Sequence, residues 1–251
     1  MPTIRAITFD LWDTVLVDDT DEPKRAAQGL PPKPEQRRIL VRDFLDRHGA
    51  ISLDDVSAAY DATDGEFREA WYGESVTWTV ADRLGRLLGK LARQLPEDEF
   101  SELVRLHEEM ELEIKPDLVP GVREAIETIA GSYKLGVISD AIFSPGRVLR
   151  QIVGHYGLLE HFDHFVFSDE IGCSKPDARM FEDAARGLDV EPGELVHLGD
   201  RGQKDIDGPH QVGAHGVLIR VACDRGGPDT TADAICDDYA DLPGILDKLN
   251  S

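Results

Sequence analysis

Three kinds of function are argued against by what this sequence has little of. Among 251 residues there are three cysteines, Cys173, Cys223 and Cys236. Their number is odd, they lie far apart, and no two form a CxxC pair, so neither a disulfide framework nor a zinc site is indicated. Such usage suits a reducing cytosol, and a cytoplasmic location is expected. No apolar stretch approaches the roughly 20 residues that span a bilayer, and the chain runs from Met1 directly into a strand-like segment, so no membrane span and no export signal are expected. Basic residues are scarce, 27 against 49 acidic, for a net charge of −22. That balance repels a phosphate backbone over most of the surface and excludes nucleic acid as an expected partner. Internal repeats and low-complexity tracts are also absent.

What is present describes a globular protein able to bury a core without staples: 41% hydrophobic residues, with 23 glycines and 14 prolines. Five short apolar runs each end in a polar group. They are Ile4 to Phe9 before Asp10, Leu135 to Ile138 before Ser139, Phe165 to Phe167 before Ser168, Leu195 to Leu198 before Gly199-Asp200, and Val217 to Ile219 before Arg220. Unbroken apolar runs of this length read as strands buried on both faces of a parallel sheet. Helical periodicity lies between them, as in Val122, Ala125, Ile126 and Ile129, framed by Pro120 and Gly131. The predicted class is therefore α/β, a Rossmann-like parallel sheet in which ligands bind beyond the carboxyl ends of the strands. On that rim Asp10, Ser139 and Asp200 become neighbours despite their distance in sequence.

Residues 17–116 break the alternation. They contain helical segments only, at Ile39 to Leu45, Val56 to Trp71, Val76 to Leu91 and Phe100 to Ile114, entered through a loop predicted over Asp18 to Pro34. Ser52 with Asp55 reads as a weak capping box, Gly49 as a carboxyl cap and Pro96 as a first-turn proline. The expected organisation is a discontinuous core, 1–16 and 117–251, with an all-helical insertion at 17–116.

Four chemical signals follow one another at the strand ends. Asp10 opens Asp-Leu-Trp-Asp-Thr, where an exposed carboxylate can act as a nucleophile. Ser139 ends the second run, Lys175 stands in Cys-Ser-Lys-Pro, and Gly199-Asp200 is followed by Asp205. This order, with a helical segment between the first and second signals, resembles the four motifs of the haloacid dehalogenase superfamily over nearly the whole chain. The resemblance implies that Asp10 forms a covalent aspartyl intermediate, that Ser139 hydrogen-bonds the transferring group and that Lys175 steadies both charges. It implies a Mg²⁺ site made by Asp10, Asp200, Asp205 and the backbone carbonyl of Trp12. Trp12, Thr14, Ser139 and Asp140 are the expected substrate contacts. Phosphoryl oxygens and several carboxylates cannot share a site without positive charge, which a hard cation and one lysine supply. The expected partner is a small, phosphorylated molecule and the expected assembly a monomer or homodimer.

At one position the sequence departs from the family. Its phosphatases usually carry an acid two residues after the nucleophile, where this chain has Trp12, whose indole exchanges no proton at neutral pH. Asp13 lies one residue too far to substitute directly. An aromatic there resembles the dehalogenases, which displace halide without metal, and makes dehalogenation the second reading. Asp200 and Asp205 favour the metal-dependent branch, and Asp140 adds negative charge where a haloacid carboxylate would bind. A third reading keeps the fold for binding without turnover. Within the insertion Trp71 is expected to pack with Val56, Tyr60 and Phe67, and Arg37 and Arg38 are expected to be solvated. Tyr72, Trp78 and His107 identify no substrate. His197, inside a strand run, is expected to be a satisfied core group, while His210 and His215 stay open as rim residues.

Overall fold

The computed structural model describes residues 3–225 and 229–251. Six parallel strands form one sheet: β1 (Ala6–Phe9), β2 (Lys134–Ser139), β3 (His164–Phe167), β4 (Leu195–Gly199), β5 (His215–Ile219) and β6 (Ala234–Cys236), in the order β3-β2-β1-β4-β5-β6. The first five coincide with the apolar runs. The sixth is three residues long with only Cys236 buried, too short and too mixed to stand out by pattern. The chain winds outward from β1 to β3, then returns to β4 on the other side of β1. The strand order therefore reverses between β1 and β4, where an open α/β sheet leaves a crevice at its carboxyl edge.

Between β1 and β2 the chain forms α1 (Asp21–Ala27), α2 (Lys33–Asp46), α3 (Leu53–Gly73), α4 (Val80–Lys90), α5 (Glu97–Glu108) and α6 (Met110–Glu113). Three details differ from expectation. The loop predicted over Asp18 to Pro34 contains α1, whose Pro23 sits in the first turn, where its missing N–H is not needed. Residues 76–79 are not helical, because Thr79 caps α4: its side chain accepts from Asp82 N while the Asp82 carboxylate accepts from Thr79 N. The last predicted helix divides at Glu109 into α5 and α6. Ser52 does cap α3, accepting from Asp55 N at 3.0 Å. These helices share their own apolar cluster, in which Leu84, Leu87 and Leu88 of α4 meet Val41, Phe44 and Leu45 of α2 and Leu103 of α5. Each fully buried leucine there contributes about 1.5–3 kcal/mol.

The remaining helices flank the sheet: α7 (Val122–Ile129), α8 (Gly146–His155), α9 (Ser168–Ile171), α10 (Ala178–Gly187), α11 (Asp207–His210) and α12 (Leu242–Leu249). Phe9, Val137, Phe167, Leu198 and Ile219 are fully buried in one cluster that spans the strands, and inside β1 and β4 the polar Thr8 and His197 are buried against each other.

Candidate active site

Strand register brings the candidate residues together. Phe9 lies opposite Val137 on one side and Leu198 on the other, so Asp10, Ser139 and Asp200 gather at the carboxyl ends of three adjacent strands, the last two one residue further along the register than Asp10. The Asp10 N–H donates to the Leu198 carbonyl at 2.8 Å, which carries the ladder one residue past the strand and holds the aspartate in place.

Lys175 is fully enclosed, 2% exposed, and bridges two acids: its Nζ lies 2.9 Å from Asp10 Oδ1 and 2.6 Å from Asp205 Oδ1. Burial by itself would discharge the lysine, but Asp10, Asp205 and Asp140 outweigh it and hold the ammonium well above its ordinary range. Burial likewise works against an ionised Asp205, yet Lys175 and His197 overcome it and keep that carboxyl well below the usual range. For Asp10 burial prevails, helped by the neighbouring Asp205, and its carboxyl is raised. His197 is a satisfied core group, as expected. Its Nδ1 is 3.0 Å from Thr8 Oγ1 and its Nε2 3.2 Å from Asp205 Oδ1, so it also orients that acid.

Asp205 stands in a wide π-helical turn, Gly202–Ile206, rather than in a regular first turn. Its second oxygen accepts from Arg201 N at 2.9 Å. The approach requires Gly199, since a Cβ there would fall 2.3 Å from Asp205 Cγ. Asp200 offers one oxygen to Arg225 at 2.8 Å, while Oδ1 is buried without a partner among the described residues. Burial, Asp10 and Asp205 push its carboxyl up to about 7. Oxygens of Asp10, Asp200 and Asp205 lie within 4.8 Å of one another. Crowded carboxylates with an orphaned oxygen suit a hard divalent cation, which prefers oxygen ligands and would relieve their repulsion.

Asp13 has φ 54°, a left-handed turn conformation that aspartate tolerates better than most residues. Its carboxylate accepts from Asp18 N at 3.0 Å and pairs with Arg225 at 2.5 Å. It does not line the cavity beside Asp10.

That cavity, of about 230 Å³, is lined by Asp10, Trp12, Asp140, Lys175 and Asp205 from among the expected residues. Ser139, Thr14 and Asp200 are fully buried and lie outside the lining. The Ser139 and Thr14 hydroxyls have no partner among the described residues.

Asp140 behaves differently from expectation. It receives Lys204 Nζ at 2.6 Å, Lys175 N at 3.0 Å and Trp71 Nε1 at 3.2 Å. Its charge is matched by Lys204, so it does not act as an isolated repulsive group at the cavity wall. Trp71 does stack with Phe67 and is mostly buried, but its indole also faces the cavity. Arg37 is buried rather than solvated, with its guanidinium 3.5 Å from the centre of the Phe143 ring. Arg38 pairs with Asp61 at 2.6 Å. His210 and His215 both turn to Asp233 and do not reach the cavity.

Sequence reasoning passed over Asp18, Glu111, Phe143, Arg201 and Lys204 as cavity residues. Arg201 and Lys204 sit inside the Asp200 to Asp205 segment and were within reach of a closer reading. Glu111 and Phe143 carry no local signal, because only the folding of α6 and the loop after β2 brings them here.

A doubly wound parallel sheet carries a lysine-bridged aspartate and paired acids at its switch point. The haloacid dehalogenase-like hydrolase family model matches residues 4–213, and the chain belongs to that hydrolase family. It is 41% identical over 227 residues to the human haloacid dehalogenase-like hydrolase domain-containing protein 3, covering 86% of this chain and 82% of that one. The match to the mouse protein of the same name spans 92 residues, 37% of its length. A glyceraldehyde 3-phosphate phosphatase of Methanothermobacter thermautotrophicus is 31% identical over 263 residues, covering 97% of this chain and all of that protein. In structure, a HAD phosphatase from Thermococcus onnurineus superposes with a TM-score of 0.65 at 25% identity, over 97% of this chain and 98% of that one.

Proposed function

We propose that this protein is a Mg²⁺-dependent phosphatase of a small phosphorylated metabolite, acting through an aspartyl-phosphate on Asp10. One observation carries the reading. Lys175 joins Asp10 to Asp205, while Asp200, which keeps one oxygen without a partner among the described residues, brings a carboxylate oxygen within 4.8 Å of both acids. This is the charge pattern expected of a nucleophile beside a divalent cation: the lysine would serve either chemistry, but the three crowded acids call for a cation that metal-free halide displacement does not use. Similarity to proteins named as phosphatases supports the same direction.

Asp10, Asp200, Asp205 and the Trp12 carbonyl would hold the cation, which supplies Lewis-acid neutralisation of phosphoryl oxygens when bound. Asp10 attacks phosphorus from the end of β1, where its backbone bond to Leu198 fixes its direction. Lys175 neutralises charge on Asp10 and on the transferring group, and Ser139, whose partnerless hydroxyl is buried outside the cavity lining, takes the role of phosphoryl donor that the family resemblance implies. Water then cleaves the aspartyl-phosphate and restores Asp10. The core, 1–16 with 117–251, carries this chemistry, and the insertion at 17–116 serves as a cap that closes over it and excludes bulk water.

The test is release of phosphate from p-nitrophenyl phosphate and of chloride from 2-chloropropionate, each with and without magnesium, with Asp10→Asn as control. The expected result is magnesium-dependent phosphate release that the variant loses. Halide release without metal would replace this reading with the dehalogenase one, and magnesium-stabilised folding with neither product would replace it with ligand binding.

A further inference from the structure

A phosphomonoester leaves as an alkoxide unless it is given a proton, and the same proton must be recovered when water attacks the phosphoenzyme. The residue two places after the nucleophile, Trp12, holds no exchangeable proton at neutral pH. Among the described residues no histidine lines the cavity, which leaves a carboxyl or a lysine to supply the proton.

Most of the titratable groups in the lining are committed elsewhere. Asp10 is the nucleophile, and Asp205 is bound by Lys175 and His197. Asp140 is held by Lys204 and by Trp71. Glu111 is paired with Lys33 at 3.1 Å and accepts from the Ser144 hydroxyl. Lys175 and Lys204 are each salt-bridged, and arginine does not deprotonate. Asp18 is the exception. Among the described residues its carboxylate has neither a hydrogen bond nor an ion pair, although its backbone is anchored to Asp13. Its residue lines the same cavity as Asp10 and remains open to solvent.

Resting on the phosphatase reading, we propose that Asp18 is the general acid and base of this enzyme, placed on the segment that leads into the insertion instead of beside the nucleophile. As Asp10 Oδ bonds to phosphorus and the bond from phosphorus to the ester oxygen breaks, the Asp18 proton passes to that oxygen and ROH departs. The Asp18 carboxylate then takes a proton from the water that attacks phosphorus. Asp10 and inorganic phosphate are released, and the sum is ester plus water giving alcohol plus phosphate.

The electrostatics agree with this placement. Partial burial together with Asp19, Asp13 and Glu111, opposed by Lys33, moves the Asp18 carboxyl up to about 6. Its protonated form is therefore available near neutral pH, where a general acid is most effective. Lys33 is itself occupied by Asp19, Asp21 and Glu111, which is why it fails to capture Asp18.

The experiment compares first-turnover rates of wild type, Asp18→Asn and Asp18→Glu on 2,4-dinitrophenyl phosphate, whose leaving group needs no proton, and on phenyl phosphate, whose leaving group does. For Asp18→Asn, phenyl phosphate cleavage is expected to fall about 10²- to 10⁴-fold, and dinitrophenyl phosphate cleavage far less. Asp18→Glu should recover part of the phenyl phosphate rate. The wild-type decline of kcat/KM as pH rises above about 6 should vanish in Asp18→Asn. Both rates come from one preparation, so their ratio does not depend on the fraction folded. Equal loss on both substrates, or none on either, would overturn the assignment. A wild type that releases phosphate from neither substrate would refute the phosphatase reading itself, and the role of Asp18 with it.

Discussion

Lys204 holds its ammonium 3.3 Å from the centre of the Trp71 ring and 2.6 Å from Asp140 Oδ2. A residue of the inserted helices thus meets one from the acidic turn after β4 and one from the end of β2. The Trp71 N–H completes the triangle by donating to the same Asp140 oxygen. On the proposed closure of the insertion over the core, this contact forms as the site closes and both interactions break as it opens.

Trp71→Phe keeps an aromatic face for Lys204 but removes the bond to Asp140. It should loosen the closed form by about 1 kcal/mol, a rise in KM of roughly fivefold with a smaller change in kcat. Steady-state kinetics on p-nitrophenyl phosphate separate the two. A fall in kcat with KM unchanged would show that the contact serves chemistry rather than closure.

Lys175→Met leaves Asp10 and Asp205 buried without their shared cation. The expected loss is about 3–5 kcal/mol of stability, read from urea midpoints in magnesium-free buffer. In an Asp10→Asn background the loss should shrink, because one of the two stranded charges has been removed. An equal loss in both backgrounds would mean that Lys175 stabilises through packing alone.

Gly199→Ala forces Asp205 to move, since the new methyl group would sit 2.3 Å from its carboxyl carbon. Overpacking of this kind costs about 1–3 kcal/mol. Magnesium affinity, measured by calorimetry, should fall together with activity. Unchanged affinity would remove Asp205 from the cation site.

His107 is buried in the insertion, with Nδ1 2.8 Å from the Leu103 carbonyl, and burial moves its pKa from 6.5 down to about 3. The unfolded chain therefore binds a proton that the folded form refuses. Stability is complete above about 6.5 and declines as pH falls toward about 3, at up to about 1.4 kcal/mol per pH unit. His197 is depressed in the same direction and adds to the slope. In urea titrations from pH 7 to about 4, His107→Gln should reduce the slope by up to one proton. An unchanged slope would place the acid sensitivity elsewhere.

Sequence alone determined the parallel-sheet class, five of the six strands and the meeting of Asp10, Ser139 and Asp200 at one rim. Those features are local or periodic: an apolar run long enough for a strand, a polar group at its end, and a topology that aligns the ends. It also named Lys175 and Asp205, because each follows a recognisable strand or turn. Only the tertiary structure decided which charges pair. Asp140 is read as repulsive until Lys204 is found against it, and Arg37 as solvated until Phe143 covers it. Asp18 looks like one acid in an acidic loop until Lys33 is found paired with Asp19, Asp21 and Glu111 instead. Pairing and burial depend on residues far apart in sequence, and an electrostatic environment is a sum over those neighbours that no local pattern contains.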